Sequence, residues 1–248
     1  MSVELYRLKK YFGDVHAVDD VSLKIGEGEQ ISIIGPNGAG KTTLINLITG
    51  LLKPDGGKIF FEGRDITNIP LSKRCKIGLV RSFQLPAIFP NLTTFEFIKF
   101  SIISRLGRSK NFYTSLERDE EVSELAKEVL QLFGLYDKKD LLTRNLAHGE
   151  KKLLDVASAL ALKPKVILLD EPTSGVSTAE KRKVVETILS ASTEIGIKSI
   201  IFVEHDMDIV FSYSTRIIVM YNGKILADAS PHEVKANKEV VSVVLGEG

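Results

Sequence analysis

One cysteine, no tryptophan, almost no net charge and no long apolar run: the absences in this chain set its first limits. The lone Cys75 excludes an internal disulfide and any multi-cysteine metal site. His16, His148 and His232 lack metal-ligand spacing, so no zinc site is read. No apolar stretch reaches the roughly eighteen residues of a bilayer-spanning helix. Met1-Ser2-Val3-Glu4-Leu5 lacks the basic start and apolar segment of a signal peptide, and the expectation is a cytosolic protein. Lys plus Arg number 33 against 32 Asp plus Glu, so wholesale electrostatic capture of anionic polymers has no global support. No nucleic-acid partner is therefore expected. Internal repeats and low-complexity segments are also missing. What remains is ordinary globular composition, 44% hydrophobic and 26% charged, with apolar surface enough to offset chain entropy. The length fits one domain, or one core with a smaller lobe.

The hydropathy pattern changes three times. Val21, Leu23 and Ile25 alternate with polar residues, the period of a half-buried strand, and Ile31 to Ile34 is a short apolar run ending in glycine. Thr42 to Ile48 reads as a helix and Lys58 to Glu62 as a strand. In the middle, Val122, Leu125, Ala126, Val129, Leu130 and Phe133 recur at helical spacing, and residues 86 to 162 are expected to be mostly helical. The last third alternates again. Val166 to Leu169 reads as a strand covered on both faces, a helix follows from about Ala179, and Ser199 to Val203 is another strand. Asn222-Gly223 between two apolar runs marks a tight hairpin. Strand–helix–strand alternation implies a mostly parallel α/β core.

Gly35-Pro36-Asn37-Gly38-Ala39-Gly40-Lys41-Thr42 has the form G-x-x-x-x-G-K-T, placed between a predicted strand and a predicted helix. Glycines let the backbone curl so that successive N–H groups face phosphate oxygens. The helix starting near Lys41 aims its positive end at the same place, Lys41 adds a cation, and Thr42 offers a hydroxyl to Mg²⁺. Downstream, the buried strand before Asp170-Glu171 puts one carboxylate where it can hold Mg²⁺ and the next where it can polarise water.

With those two motifs stand Phe83-Gln84, Leu146-Ala147-His148-Gly149-Glu150, Asp170 to Ser174, and Val203-Glu204-His205-Asp206. In this order the chain resembles the ATP-binding-cassette ATPases over nearly its whole length. The resemblance implies one domain, 1–248, of α/β class. A P-loop NTPase (RecA-like) core and an N-terminal antiparallel β subdomain would occupy 1–85 and 163–248. An inserted helical subdomain would occupy 86–162. It implies ATP and Mg²⁺ as cofactors. Glu171 would be the general base, Gln84 and His205 would position water and γ-phosphate, and Thr42, Gln84 and Asp170 would attend the metal. Thr43 completes the phosphate loop, and Phe12, with Tyr11 as competitor, would stack on adenine. Gly149, in the signature segment at the head of a helix expected over Glu150 to Leu162, would meet the ATP of a second subunit, giving a nucleotide-sandwich homodimer or heterodimer.

Two departures from the family pattern stand out. Ala147, His148 and Glu150 replace the usual Ser, Gly and Gln of the signature, and Ser177 stands where an aspartate is usual. Ser177 to Glu180 reads instead as a capping box. Arg81-Ser82-Phe83-Gln84, Phe89 to Thr93 and Val244 to Glu247 look most like the branched-chain (hydrophobic) amino-acid importer group. That likeness implies integral membrane permease subunits meeting Leu85, Pro86, Ile88 and Phe89, an extracytoplasmic substrate-binding protein, and a peripheral place on the cytoplasmic side of the cell membrane. The competing readings are the motor of a lipopolysaccharide-type exporter, a soluble cassette ATPase of cofactor or complex assembly, and a P-loop kinase or GTPase.

Overall fold

In the computed structural model, which describes residues 2–82, 89–108 and 119–245, the N-terminal alternation becomes two long antiparallel strands. These are β1 (Val3–Phe12) and β2 (Val15–Ile25). β1 also pairs antiparallel with β4 (Gly56–Phe61), which pairs with β5 (Arg64–Asp65). Side chains two apart share a face, so Val3 and Leu5 of β1 are buried with Val21, Leu23 and Ile25 of β2. This is the expected antiparallel sheet.

The chain divides into two compact units, Met1–Leu79 with Lys198–Gly248, and Val80–Ile197. The first holds that sheet and a second, mixed set of strands. In it β3 (Gln30–Ile34) runs parallel to both β8 (Ser199–Val203) and β9 (Arg216–Tyr221). β10 (Lys224–Ala229) returns antiparallel to β9 through Asn222 and Gly223, both at positive φ, 47° and 76°. Two left-handed residues in a two-residue loop match the right-handed twist of the flanking strands. Ile31, Ile33 and Ile34 of β3 and the whole of β8 are buried, as expected of parallel strands covered on both faces. Helices α7 (Met207–Tyr213), α8 (Pro231–Ala236) and α9 (Lys238–Leu245) follow these strands, and Val210, Val234 and Val240 pack with Ile34, Ile217 and Val219.

Helix α1 (Lys41–Thr49) follows β3 and is anchored from its far end. Arg74, from α2 (Leu71–Lys76), is wholly buried. Its guanidinium donates to the carbonyls of Leu47 (2.8 Å) and Ile48 (2.6 Å) in the last turn of α1, and to Ile66, Thr67 and Ile69. A cation at a helix C-terminus satisfies orphan carbonyls and complements the dipole. Burial pushes the Arg74 guanidinium down to about 10, still charged at neutral pH.

The second unit carries β7 (Val166–Asp170), fully buried, beside β6 (Leu79–Arg81). Its helices are α3 (Thr94–Leu106), α4 (Glu120–Leu132), α5 (His148–Leu160) and α6 (Thr178–Ile195). The expected lobe of 86–162 lies within this unit. α4 buries Val122, Ala126, Val129 and Leu130, the face read from its spacing. α5 starts at His148, two residues before the expected Glu150. The cause is the Glu150 carboxylate, which reaches back to the Ala147 N–H (2.9 Å) and fixes Ala147 as N-cap. No described helix is long and apolar enough to cross a membrane.

Candidate functional site

In the first unit, β3 ends and the chain curls through Gly35 to Gly40 into α1. Gly35 and Gly40 have φ of 146° and 100°. A Cβ at Gly35 would lie 2.1 Å from the Met220 carbonyl oxygen, and one at Gly40 would lie 2.0 Å from that of Ala17. Only glycine lets the loop pass this close to its neighbours. Inside the loop the Ala39 N–H donates to Pro36 (3.2 Å), and Gly223 donates to Ala39 (3.1 Å), while Asn37 and Gly38 face outward. The Lys41 ammonium is buried and donates to Gly35 (2.7 Å) and Pro36 (2.9 Å), so it lies folded over the loop. Thr42 is exposed and Thr43 half-buried.

Does a polyphosphate suit this place? α1 begins on Gly40 with no side-chain cap and no acid in its first turn. By contrast, α3 and α8 both begin on complete capping boxes, Thr93/Glu96 and Ser230/Glu233. The first N–H groups of α1 are thus available to an outside anion at the positive end of the helix. ATP therefore fits the residues present. Thr42 and Asp170 are hard oxygen donors of the kind Mg²⁺ takes.

His205 and Phe12 belong to the same unit. β8 runs in register with β3, Val203 beside Ile33, so Glu204-His205 and Gly35 leave neighbouring strands at the same end. Glu204 is buried, and its carboxylate accepts the N–H of His205, whose ring is exposed. Of the two aromatic candidates, Tyr11 is engaged. Its hydroxyl donates to Asp19 (2.9 Å) and its ring stacks on His16 at 4.1 Å. Phe12 is 49% exposed, with the Lys10 ammonium 5.5 Å from its ring centre.

In the second unit, β7 delivers Asp170 and Glu171. Asp170 is buried and ion-paired to Arg81, the last residue of β6. Glu171 has a left-handed φ of 47°, unusual for a non-glycine, and such strain concentrates at working sites. The turn is pinned by Lys152 of α5, buried, whose ammonium donates to the Glu171 carbonyl (3.3 Å) and the Ser174 hydroxyl (3.1 Å). His148, at the signature position where glycine is usual, reaches the same turn, its Nε2 3.2 Å from the Ser174 carbonyl. Gly149 lies in the first turn of α5, where a Cβ would come 3.8 Å from the Val176 side chain. Glu150 is held by an ion pair with Lys138.

Ser177 is the N-cap of α6, but its hydroxyl donates to the Glu180 carboxylate (2.7 Å) and accepts no backbone N–H. The hydroxyl meets Glu180 as the hydroxyls of Thr93 and Ser230 meet Glu96 and Glu233, but the backbone N–H bond that those two also accept is not made here. Gln84, with Phe83, Leu85, Pro86 and Ile88, lies outside the described residues. Two cations went without a role in the sequence reading, Arg81 and Lys152. The signal for each is a charge where the pattern demands an inward residue, after Leu79-Val80 in one case and against Leu153-Leu154 in the other.

A family model described as ABC transporter matches residues 18–174. The chain is 37% identical over 250 residues to the probable branched-chain amino acid transport ATP-binding protein LivG of Methanocaldococcus jannaschii, covering 96% of this chain and 95% of that one. It is 34% identical to the protein of the same description from Archaeoglobus fulgidus, covering 98% and 95%. A crystal structure of the ADP conformation of an ATP-binding cassette of an ABC transporter superposes with a TM-score of 0.87 at 33% identity, covering 99% and 98%. The loop that begins α1, the carboxylates that end β7 and this match over nearly the full length lead to one conclusion: the chain belongs to the ABC transporter family, as one of its ATP-binding cassettes.

Proposed function

We propose that this cassette is the ATP-hydrolysing motor of an importer for branched-chain or other hydrophobic amino acids, bound peripherally at the cytoplasmic face of the membrane. The observation that carries the reading is the uncapped start of α1 behind its glycine loop, in a chain matched end to end by proteins named for that transport.

Phosphoryl transfer to water needs charge neutralisation and positioning more than covalent chemistry. The loop N–H groups and Lys41 bind the phosphates of ATP. Thr42, Asp170 and Gln84 are the residues that would hold Mg²⁺, which when bound supplies positive charge to the phosphate oxygens. Glu171 accepts the proton of the attacking water, and the exposed ring of His205 orients the γ-phosphate. Phe12 covers one face of the adenine. Gly149, in the first turn of α5, meets the nucleotide of a second cassette, identical or related. Phe89, 63% exposed, with Leu85, Pro86 and Ile88, receives the permease subunits. An extracytoplasmic binding protein delivers the amino acid to them.

The test is purification of the tagged chain from its native membranes in mild detergent, with partners identified by mass spectrometry. Polytopic subunits should co-purify, and deletion of the gene should abolish uptake of labelled leucine or a similar amino acid. A chain recovered alone, while a control transporter stays assembled, would move the reading to a soluble assembly ATPase.

A further inference from the structure

We propose that Arg81 is the resident counter-charge of Asp170, a positioning residue that holds the carboxylate in place before metal and nucleotide arrive. The proposal rests on the reading above in one respect, that Asp170 holds Mg²⁺.

The geometry is specific. The side chains of Arg81 and Asp170 are 7% and 3% exposed. β6 lies beside β7, and the Ser82 N–H donates to the Leu168 carbonyl (3.0 Å), so the backbone joins the two strands next to the ion pair. One terminal guanidinium nitrogen binds Oδ2 of Asp170. The other carboxylate oxygen accepts no hydrogen bond from the described residues. Arg81 therefore engages one edge of the carboxylate and leaves the second oxygen for another cation.

Energetics favour a charge role over a structural one. A buried ion pair seldom stabilises more than an apolar pair of the same volume, but removing one partner leaves an uncompensated charge and is strongly destabilising. At the end of two buried strands, a pair of aliphatic residues could fill the same buried space. The pair makes sense if Asp170 is there to receive a second cation. While the metal is absent Arg81 balances it, and when Mg²⁺ binds, the ion shares that task. Losing Arg81 should then hurt the metal-free protein most, and metal with nucleotide should restore much of the loss.

The experiment is thermal unfolding of the purified full chain with the non-hydrolysable analogue adenylyl imidodiphosphate, in EDTA or in a Mg²⁺ titration. The chains compared are the unaltered protein, Arg81→Met, Arg81→Lys, Asp170→Asn, and Arg81→Met combined with Asp170→Asn. Arg81→Met should lower Tm in EDTA by roughly 5–15 °C, and Mg²⁺ should recover at least half of that deficit. Arg81→Lys should stay near the unaltered protein. The double variant should regain most of the EDTA loss, because neither charge is left alone, and should show no Mg²⁺ increment. Equal losses for Arg81→Met in EDTA and in Mg²⁺, with a double variant no more stable, would overturn the proposal and leave Arg81 a packing residue. If Arg81→Met is insoluble, a soluble double variant supports the proposal and an insoluble one overturns it. An Asp170→Asn chain that keeps the full Mg²⁺ increment would instead overturn the metal assignment beneath it.

Discussion

The phosphate loop in the first unit is made of backbone. Gly35 and Gly40 take conformations and approaches that a Cβ forbids, the start of α1 is left uncapped, and the main side chain involved, Lys41, lies back on the loop's own carbonyls. The turn after β7 in the second unit is made of side chains. Asp170 is held by Arg81, Glu171 by its strained backbone and by Lys152, and His148 closes on Ser174. A backbone site binds an anion through many weak, fixed dipoles. A side-chain site can change its charge balance when a cation enters. The first kind suits holding ATP and the second suits acting on it.

Substitutions can break this contrast. The largest effect is expected at Lys41. Lys41→Ala should reduce ATP affinity by at least about 100-fold, the loss of a charge-assisted contact to phosphate, as read by isothermal titration. Unchanged affinity would mean that the loop does not carry the nucleotide. Next comes the support beneath the loop. Arg74→Met should cost about 3–5 kcal/mol in urea unfolding, since five carbonyls lose their donor. Lys152→Met, which leaves the Glu171 carbonyl without that donor, should cost about 1–3 kcal/mol and lower turnover more than ATP affinity. Equal losses in both would show that the turn serves binding as much as chemistry. The smallest effect belongs to the exposed ring. Phe12→Ala should weaken ATP binding by about fivefold, the value of one stacking contact, while Tyr11→Ala should chiefly loosen the β1–β2 hairpin.

The same contrast explains how much could be read from sequence. The phosphate loop was legible because backbone conformation is written locally, in the spacing of Gly35, Gly40 and Lys41. So were the β9–β10 hairpin at Asn222-Gly223, the buried run of β7 and the inward face of α4. The partners of the carboxylates were not. Arg81 precedes Asp170 by a long stretch of chain, Lys152 reaches the turn from another helix, and Arg74 serves carbonyls of two segments, 47–48 and 66–69. No local period reports such pairings, which exist only once strands and helices have packed. The start of α5 was misplaced by two residues because alanine is a poor N-cap, and the reach of Glu150 to its N–H decides the boundary. Ser177 has the letters of a capping box, but its hydroxyl accepts no backbone N–H of α6.

The central claim is that Glu171 activates water on an ATP held between two cassettes. The most direct measurement is ATP turnover and solution mass of Glu171→Gln with and without ATP. Turnover should fall by at least about 100-fold, the usual contribution of a general base, with ATP affinity retained and the mass doubling when ATP is added. Near-normal turnover, or a chain that stays monomeric with ATP bound, would contradict the account.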